Sequence, residues 1–307
     1  MAVSLVLGAG LIGSPLARRL AERGDEVRVG TRTGRKVEGA QPLPLDAGDP
    51  DAVARAAAHA DTIFLATNPP YTTWQKDWPP IFAATVTAAQ RTGASLVVMG
   101  NLYPYGTPTG PMTEHTTETT RETKGLVRRA GWQLVREATE QGRIRGVEVR
   151  ASDYFGPGAT GTAHLGDAFF TGILKSKTAR GVGSPELDHS WSYLPDIVTT
   201  LIAASDWTGE WGRIWHVPSG APHPRAEIAA QLNAIYGTSG EASAYPQWML
   251  RSLGVFSPMM REIHASSYQF TTPFVIDAAE TSHVLGVEET PWHEALTTTA
   301  EWYRERL

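Results

Sequence analysis

Short apolar runs alternate along the first half of the chain with stretches whose apolar residues recur at helical spacing. Val3 to Leu7 is a buried-strand pattern that stops at a glycine cluster. Ile12, Leu16 and Leu20 then recur at i, i+4 and i+8, with Arg18, Arg19, Glu22 and Arg23 on other faces, which predicts an amphipathic helix. Pro15 is tolerable in its first turn, where no internal hydrogen bond is lost. Gly24 and Asp25 end that helix, and Glu26 to Gly30 reads as a second strand. The alternation continues with a helix over Asp51 to His59, a strand over Thr62 to Ala66, a helix over Ile81 to Arg91 and a strand over Ser95 to Met99. Asn101 to Pro111 is a Pro- and Gly-rich loop, Thr119 to Gln141 is helical, and Gly146 to Arg150 returns to strand.

This order predicts an α/β fold, a doubly wound parallel sheet of Rossmann type with helices on both faces. Residues 1–155 form the expected nucleotide-binding domain. Residues 156–307 form a smaller, mixed, mainly substrate-binding region, with segments near 190–217 returning to the first domain. In that half, Leu194 to Asp206, Arg225 to Tyr236 and Pro291 to Arg306 read as helices and Ile214 to Val217 as a late strand. Trp191, Tyr193, Trp207, Trp211, Trp215 and Trp248 crowd it, as packing or as a pocket wall.

Composition narrows the functions. The net charge of −5 gives no basic footprint for nucleic acid. The absence of cysteine excludes disulfides, thiolate metal sites and a thiol nucleophile. No apolar run is long enough to span a bilayer, and Met1 to Leu7 carries no secretory pattern, so a cytoplasmic protein is expected. The nine histidines show no paired ligand spacing, so no metal is expected, and no G-x-S-x-G elbow appears.

Gly8-Ala9-Gly10-Leu11-Ile12-Gly13 matches G-x-G-x-x-G between a predicted strand and helix. Gly8 suits the tight turn, Gly10 close approach of a pyrophosphate and Gly13 helix–strand packing, with Leu11 and Ile12 at the helix start. At the end of the second strand, where an acidic residue would favour NAD, the chain has Gly30-Thr31-Arg32-Thr33-Gly34-Arg35-Lys36. Arg32 and Arg35, with Thr31 beside them, suit the 2′-phosphate of NADP(H), the cofactor expected.

From the glycine loop onward the chain resembles the extended short-chain dehydrogenases, the NAD-dependent epimerase/dehydratase family. Asp46 resembles the aspartate that contacts adenine, and Ala66-Thr67-Asn68 the segment laid against the nicotinamide-side ribose. Tyr105-Gly106 resembles the Tyr-Gly after the fifth strand. Arg150 to Pro157, with Asp153, resembles the Arg-Pro-x-Asn-Val-Tyr-Gly-Pro segment beside the nicotinamide. Tyr193 to Ile197 resembles Tyr-Val-x-Asp-Val, and Leu285 to Tyr303 the C-terminal helix region.

The chemistry that the resemblance implies rests on a serine and a Tyr-x-x-x-Lys pair. Here Asn101 stands at the serine position, Lys124 is the candidate lysine, and Thr120 stands four residues before it. Lys124 is one of only five lysines, and a compact ammonium suits ribose hydroxyls. Thr120 cannot replace a phenol as an acid. Tyr103, two residues beyond Asn101, is the candidate acid, with Asn101 polarising a carbonyl, while Tyr105 reads as structural. Glu114 and His115 read as solvated, and His189 as a substrate contact rather than a catalytic group.

The expected function is NADPH-dependent reduction of a carbonyl or related unsaturated group on a small metabolite. Two alternatives stand: a redox-neutral epimerase or dehydratase that retains its nucleotide, and a non-catalytic NADP(H) sensor. The expected partners are a small-molecule substrate and no nucleic acid or membrane, with a homodimer as the assembly to test.

Overall fold

The computed structural model describes residues 1–161, 163–246, 262 and 265–307; Trp248 lies outside them. Seven parallel strands form the central sheet: β1 (Val3–Leu7), β2 (Glu26–Thr31), β3 (Gln41–Pro44), β4 (Thr62–Leu65), β5 (Ser95–Asn101), β6 (Arg145–Ala151) and β10 (Ile214–His216). Their spatial order is β10-β6-β5-β4-β1-β2-β3. The order reverses between β1 and β4, and the carboxyl ends of strands at such a reversal open a crevice for ligands. β1, β4 and the middle of β5 are buried on both faces, which explains their unbroken apolar runs.

Helices cover both faces. α1 (Gly13–Glu22) buries Leu16, Ala17 and Leu20 and shares one core with α6 (Leu194–Ser205). α2 (Pro50–Ala56), α3 (Trp74–Thr92) and α4 (Thr123–Glu140) share the core on the opposite face. α2 starts where Asp49 Oδ1 accepts from the backbone N–H groups of Asp51 and Ala52.

Several elements differ from the sequence expectation. β3 carries Pro42 and Pro44, which a sheet tolerates at the edge position it holds. α3 begins at Trp74 rather than Ile81, despite Pro79 and Pro80, because Trp74, Trp78 and Phe82 fall at i, i+4 and i+8 and bury together. α4 begins at Thr123, not Thr119. The N–H groups of Thr119 and Thr120 bond instead to the carbonyls of Tyr105 and Pro104, and the Glu122 carboxylate caps the helix at Gly125.

Beyond β6, a short strand β7 (Asp153–Phe155) pairs with β9 (Trp191–Tyr193), and β8 (Thr178–Gly181) pairs with β11 (Glu241–Ala244). α5 (Asp167–Leu174), α7 (Arg225–Tyr236) and α9 (Trp292–Arg304) enclose a separate core around Phe170, Trp191 and Tyr303. α8 (Ala279–Leu285) leans on the β10 side of the sheet. Among the described residues no helix is long and apolar enough to cross a membrane.

Candidate functional site

The glycine loop joins β1 to α1 at the sheet reversal. Gly8 has φ +115°, and a Cβ there would meet the backbone of Ala66 and Thr67 at 2.8 Å. A Cβ on Gly13 would collide with the carbonyl oxygen of Gly8, so the helix packs against the loop only without a side chain. Gly10 is different: nothing lies within 4 Å of where its Cβ would stand. The fold itself does not require glycine at that position. Ile12 caps α1 without any side-chain hydrogen bond, leaving helix N–H groups for an anion. An open Gly10 beside such a helix start fits the pyrophosphate of a dinucleotide.

At the end of β2, Thr31 Oγ1 accepts from the Arg35 N–H at 2.8 Å and shapes the turn. Arg32 and Arg35 are both exposed, and among the described residues no carboxylate pairs with either guanidinium. Asp46 is exposed nearby and its Oδ1 accepts from the Gly48 N–H at 2.9 Å, holding a turn.

A cavity of about 390 Å³ opens from the glycine loop across the carboxyl ends of β4, β5 and β6. Leu11, Ile12, Ala66, Thr67 and Asn68 line it on the loop side, and Asn101, Tyr103 and Asp153 line its floor. Tyr71, Trp74 and Trp78 form one aromatic wall, and Phe270 and Phe274 another, with His164, Gln269 and Glu262 between. The aromatic residues expected from the second half do not contribute. Trp191, Tyr193, Trp207, Trp211 and Trp215 pack elsewhere, and the wall residues Tyr71, Trp74 and Trp78 had no motif to mark them.

Asn101 Oδ1 accepts from the Tyr103 N–H at 3.2 Å, which leaves the amide N–H groups of Asn101 available to a ligand. The Tyr103 hydroxyl lies 3.4 Å from that of Tyr71. Burial pushes the Tyr103 phenol well above its ordinary range, with Tyr71 and Asp153 adding to the shift. Burial also raises Tyr71, and raises Tyr154 in the same cavity to about 12. These phenols are therefore neutral hydrogen-bond donors, and Tyr103 is a weaker acid than an ordinary tyrosine.

Lys124 is buried beside the cavity, its ammonium 5.3 Å over the Tyr71 ring. Its side chain is buried and its Nζ donates to the Glu262 carbonyl at 2.7 Å and to Glu262 Oε2 and Ser266 Oγ at 3.1 Å. Thr120 is buried too and does not line the cavity. Tyr105 is structural: its hydroxyl bonds His216 Nε2 at 2.8 Å. Glu114, expected at the surface, is buried and accepts from Thr281 Oγ1 at 2.6 Å.

Asp153 is an ionised carboxylate of the cavity. Burial works to raise its pKa, but the hydrogen bond from His189 and the fields of His164, His189 and Arg225 outweigh burial and hold it below the usual carboxylate value. His164, tilted against Phe270 at 4.1 Å between ring centroids, is lowered to about 4, chiefly by burial, and is neutral. Among the described residues no group of three or more His, Asp or Glu could hold a metal ion.

A sequence profile of the NAD dependent epimerase/dehydratase family matches residues 4–217. The fold is similar to UDP-glucose 4-epimerase of Thermotoga maritima, with 17% identity, a TM-score of 0.80 and 99% of each chain covered. It is also similar to UDP-glucuronic acid 4-epimerase of Bacillus cereus solved with UDP-glucuronic acid and NAD, with 16% identity, a TM-score of 0.80, and 99% of this chain and 100% of that one covered. A third similar structure is dTDP-glucose 4,6-dehydratase of Streptomyces venezuelae solved with NAD, with 17% identity, a TM-score of 0.77, and 99% and 97% covered. At these identities the likeness is one of fold. No protein of curated function matches the chain in sequence.

Proposed function

Since the chain belongs to the NAD dependent epimerase/dehydratase family, we propose that it holds NADP(H) along the glycine loop and works on a small substrate in the aromatic cavity, by redox-neutral chemistry in which the nucleotide stays bound. The carrying observation is that Leu11 and Ile12 of the loop line the same cavity as Asn101, Tyr103 and Asp153. The family and its structural neighbours, epimerases and a dehydratase, favour this over the net reduction expected from sequence. The neighbours' printed cofactor is NAD. The choice of NADP(H) here rests on Arg32 and Arg35, exposed and without carboxylate partners among the described residues.

A bound nicotinamide dinucleotide supplies reversible hydride transfer. Gly10 and the start of α1 would receive its pyrophosphate, Thr31, Arg32 and Arg35 its adenosine end with Asp46 nearby, and Ala66, Thr67 and Asn68 its nicotinamide side. The Asn101 amide and the neutral Tyr103 and Tyr71 hydroxyls would donate to a substrate oxygen, and the ionised Asp153 would accept. The walls built on Trp74, Trp78, Phe270 and Phe274 keep water out.

The test is to purify the protein by gel filtration, denature it and assay the released nucleotide, then titrate nucleotide-free protein with NADPH and NADH by tryptophan quenching. NADP(H) carried through purification, and NADPH bound in preference to NADH, is the expected result. Nucleotide-free protein that turns over many equivalents of NADPH with carbonyl compounds would restore the reductase reading. Failure to bind either nucleotide would overturn the proposal.

A further inference from the structure

The cavity contains one carboxylate fixed by an imidazole, in surroundings that mix aromatic, aliphatic and polar side chains. β7 and β9 run parallel with Asp153 opposite Trp191, which brings His189, two residues before β9, beside Asp153. His189 Nε2 lies 2.9 Å from Asp153 Oδ2. The imidazole is 3% exposed and cannot swing away. It stacks on Phe270 at 4.8 Å and 7°, on Phe274 at 5.4 Å and 23°, and lies 4.2 Å from the Trp191 ring. Asp153 therefore has one oxygen committed to His189. Its Oδ1 has no hydrogen-bond partner among the described residues, and the residue lines the cavity.

We propose that Asp153, oriented by His189, anchors the substrate by accepting a hydrogen bond from its hydroxyl, and that the cavity takes a small uncharged alcohol with an apolar, ring-sized body. This rests on the reading above that the cavity is the substrate site, and it departs from the sugar nucleotides carried by the structural neighbours.

Charge and surface both point to that class. A hydroxyl donating to a carboxylate makes a charge-assisted hydrogen bond, strong where water is excluded. A nucleotide diphosphate brings two negative charges, which the Asp153 carboxylate repels, while the Glu262 carboxylate is already paired with Lys124. The cation lining the cavity among the described residues is Arg128. It lies 4.3 Å over the Trp78 ring and is already committed to the Met99 carbonyl and the Glu148 carboxylate. The half-buried rings of Tyr71, Tyr103 and Tyr154 line the cavity, surfaces that reward a flat apolar body.

The test uses the full chain, with and without saturating NADPH, and follows tryptophan fluorescence, which Trp74 and Trp78 make sensitive to the cavity. Benzyl alcohol, toluene and UDP-glucose are the probes. Benzyl alcohol should bind, and Asp153→Asn should weaken it about tenfold or more. Toluene should bind wild type and variant alike, and UDP-glucose should not bind at millimolar concentration. Asp153→Ala, checked by thermal melting, is the second variant. A misfolded cavity would weaken toluene as well as the alcohol, whereas loss of the anchor weakens the alcohol alone. Equal loss of both probes, an unchanged affinity for benzyl alcohol, no binding of benzyl alcohol, or binding of UDP-glucose would each overturn the assignment. A protein that binds the probes as expected but neither nucleotide would overturn the functional reading and leave the anchor standing.

Discussion

Lys124 Nζ lies 2.7 Å from the carbonyl oxygen of Glu262 and 3.1 Å from its carboxylate. With Ser266 Oγ also at 3.1 Å, the three donors of the ammonium are all used. Lys124 thus ties α4 to Glu262 and Ser266, both of which line the cavity. Lys124→Ala should cost about 3–5 kcal/mol in stability, because it strands buried acceptors. Its affinity for NADPH should stay within about threefold, a change of less than one charge-assisted hydrogen bond. A tenfold weaker NADPH titration with an unchanged melting curve would instead return Lys124 to the ribose.

Gly10 and Gly13 stand three residues apart and should respond oppositely to alanine. A Cβ on Gly13 collides with the Gly8 carbonyl, so Gly13→Ala should destabilise the fold by about 1–3 kcal/mol or more. A Cβ on Gly10 meets nothing, so Gly10→Ala should melt within about 0.5 kcal/mol of wild type. It should nonetheless weaken NADPH by about tenfold or more, because the added methyl stands where the pyrophosphate must approach the backbone. Chemical denaturation and fluorescence titration of the two variants check both halves.

In the proposed function, Arg32 and Arg35 carry the choice of dinucleotide. If each guanidinium pairs with the 2′-phosphate, a hydrogen bond between charged groups of about 1.5–3 kcal/mol is at stake. Arg32→Ala should therefore weaken NADPH by about 10- to 100-fold while NADH changes little. The NADPH advantage should also shrink as salt rises, since both arginines are exposed. Equal loss of both nucleotides in Arg32→Ala would place the arginine elsewhere.

The nucleotide half of the site is legible in sequence because it is local. Gly8, Gly10 and Gly13 belong to one turn, and Arg32 and Arg35 to another, each at the end of a strand with an apolar signature. The substrate half is assembled from distance. Asp153 meets His189 across 36 positions, and Tyr71 meets Tyr103 across 32. Nothing in the spacing of these residues announces that they share a cavity. The sequence pattern shows α3 only from Ile81, since Pro79 and Pro80 disfavour a helix before it, and the tertiary burial of Trp74 and Trp78 overrides that local cost. Lys124 is the opposite case: its position is marked in sequence, but the groups that hold its ammonium lie 138 and 142 residues away.

Glu148 is the centre of a buried ionic cluster beneath the cavity. Its Oε2 accepts from Arg150 Nε at 2.7 Å, and its Oε1 faces Arg128 Nη2 at 3.5 Å, while Arg150 also pairs with Glu118. Arg128 and Arg150 are 2% and 0% exposed. Burial holds the Glu148 carboxyl above its usual range, against the opposing pull of the two arginines. Glu148→Gln keeps the shape but leaves two guanidinium groups facing a neutral amide. Breaking a buried pair in this way should cost about 3–5 kcal/mol, read by chemical denaturation at neutral pH.

Acid should destabilise the protein through histidines that are buried neutral. His164 and His216 are both lowered from 6.5 to about 4, in each case chiefly by burial. Asp153 opposes that shift at His164, whereas His189 and Arg225 reinforce it. The native state thus binds fewer protons than the unfolded chain between pH 4 and 6.5, and stability rises with pH across that window. The contribution is complete above 6.5 and lost as pH falls through about 4. Two such sites make the acid loss on the order of a few kcal/mol. His164 lies tilted against Phe270, so His164→Phe keeps an aromatic surface there and removes one of the two titrations. Its melting temperature should fall less than that of wild type between pH 6.5 and 4.5. Parallel curves for the two proteins would mean that His164 is not held neutral in the fold.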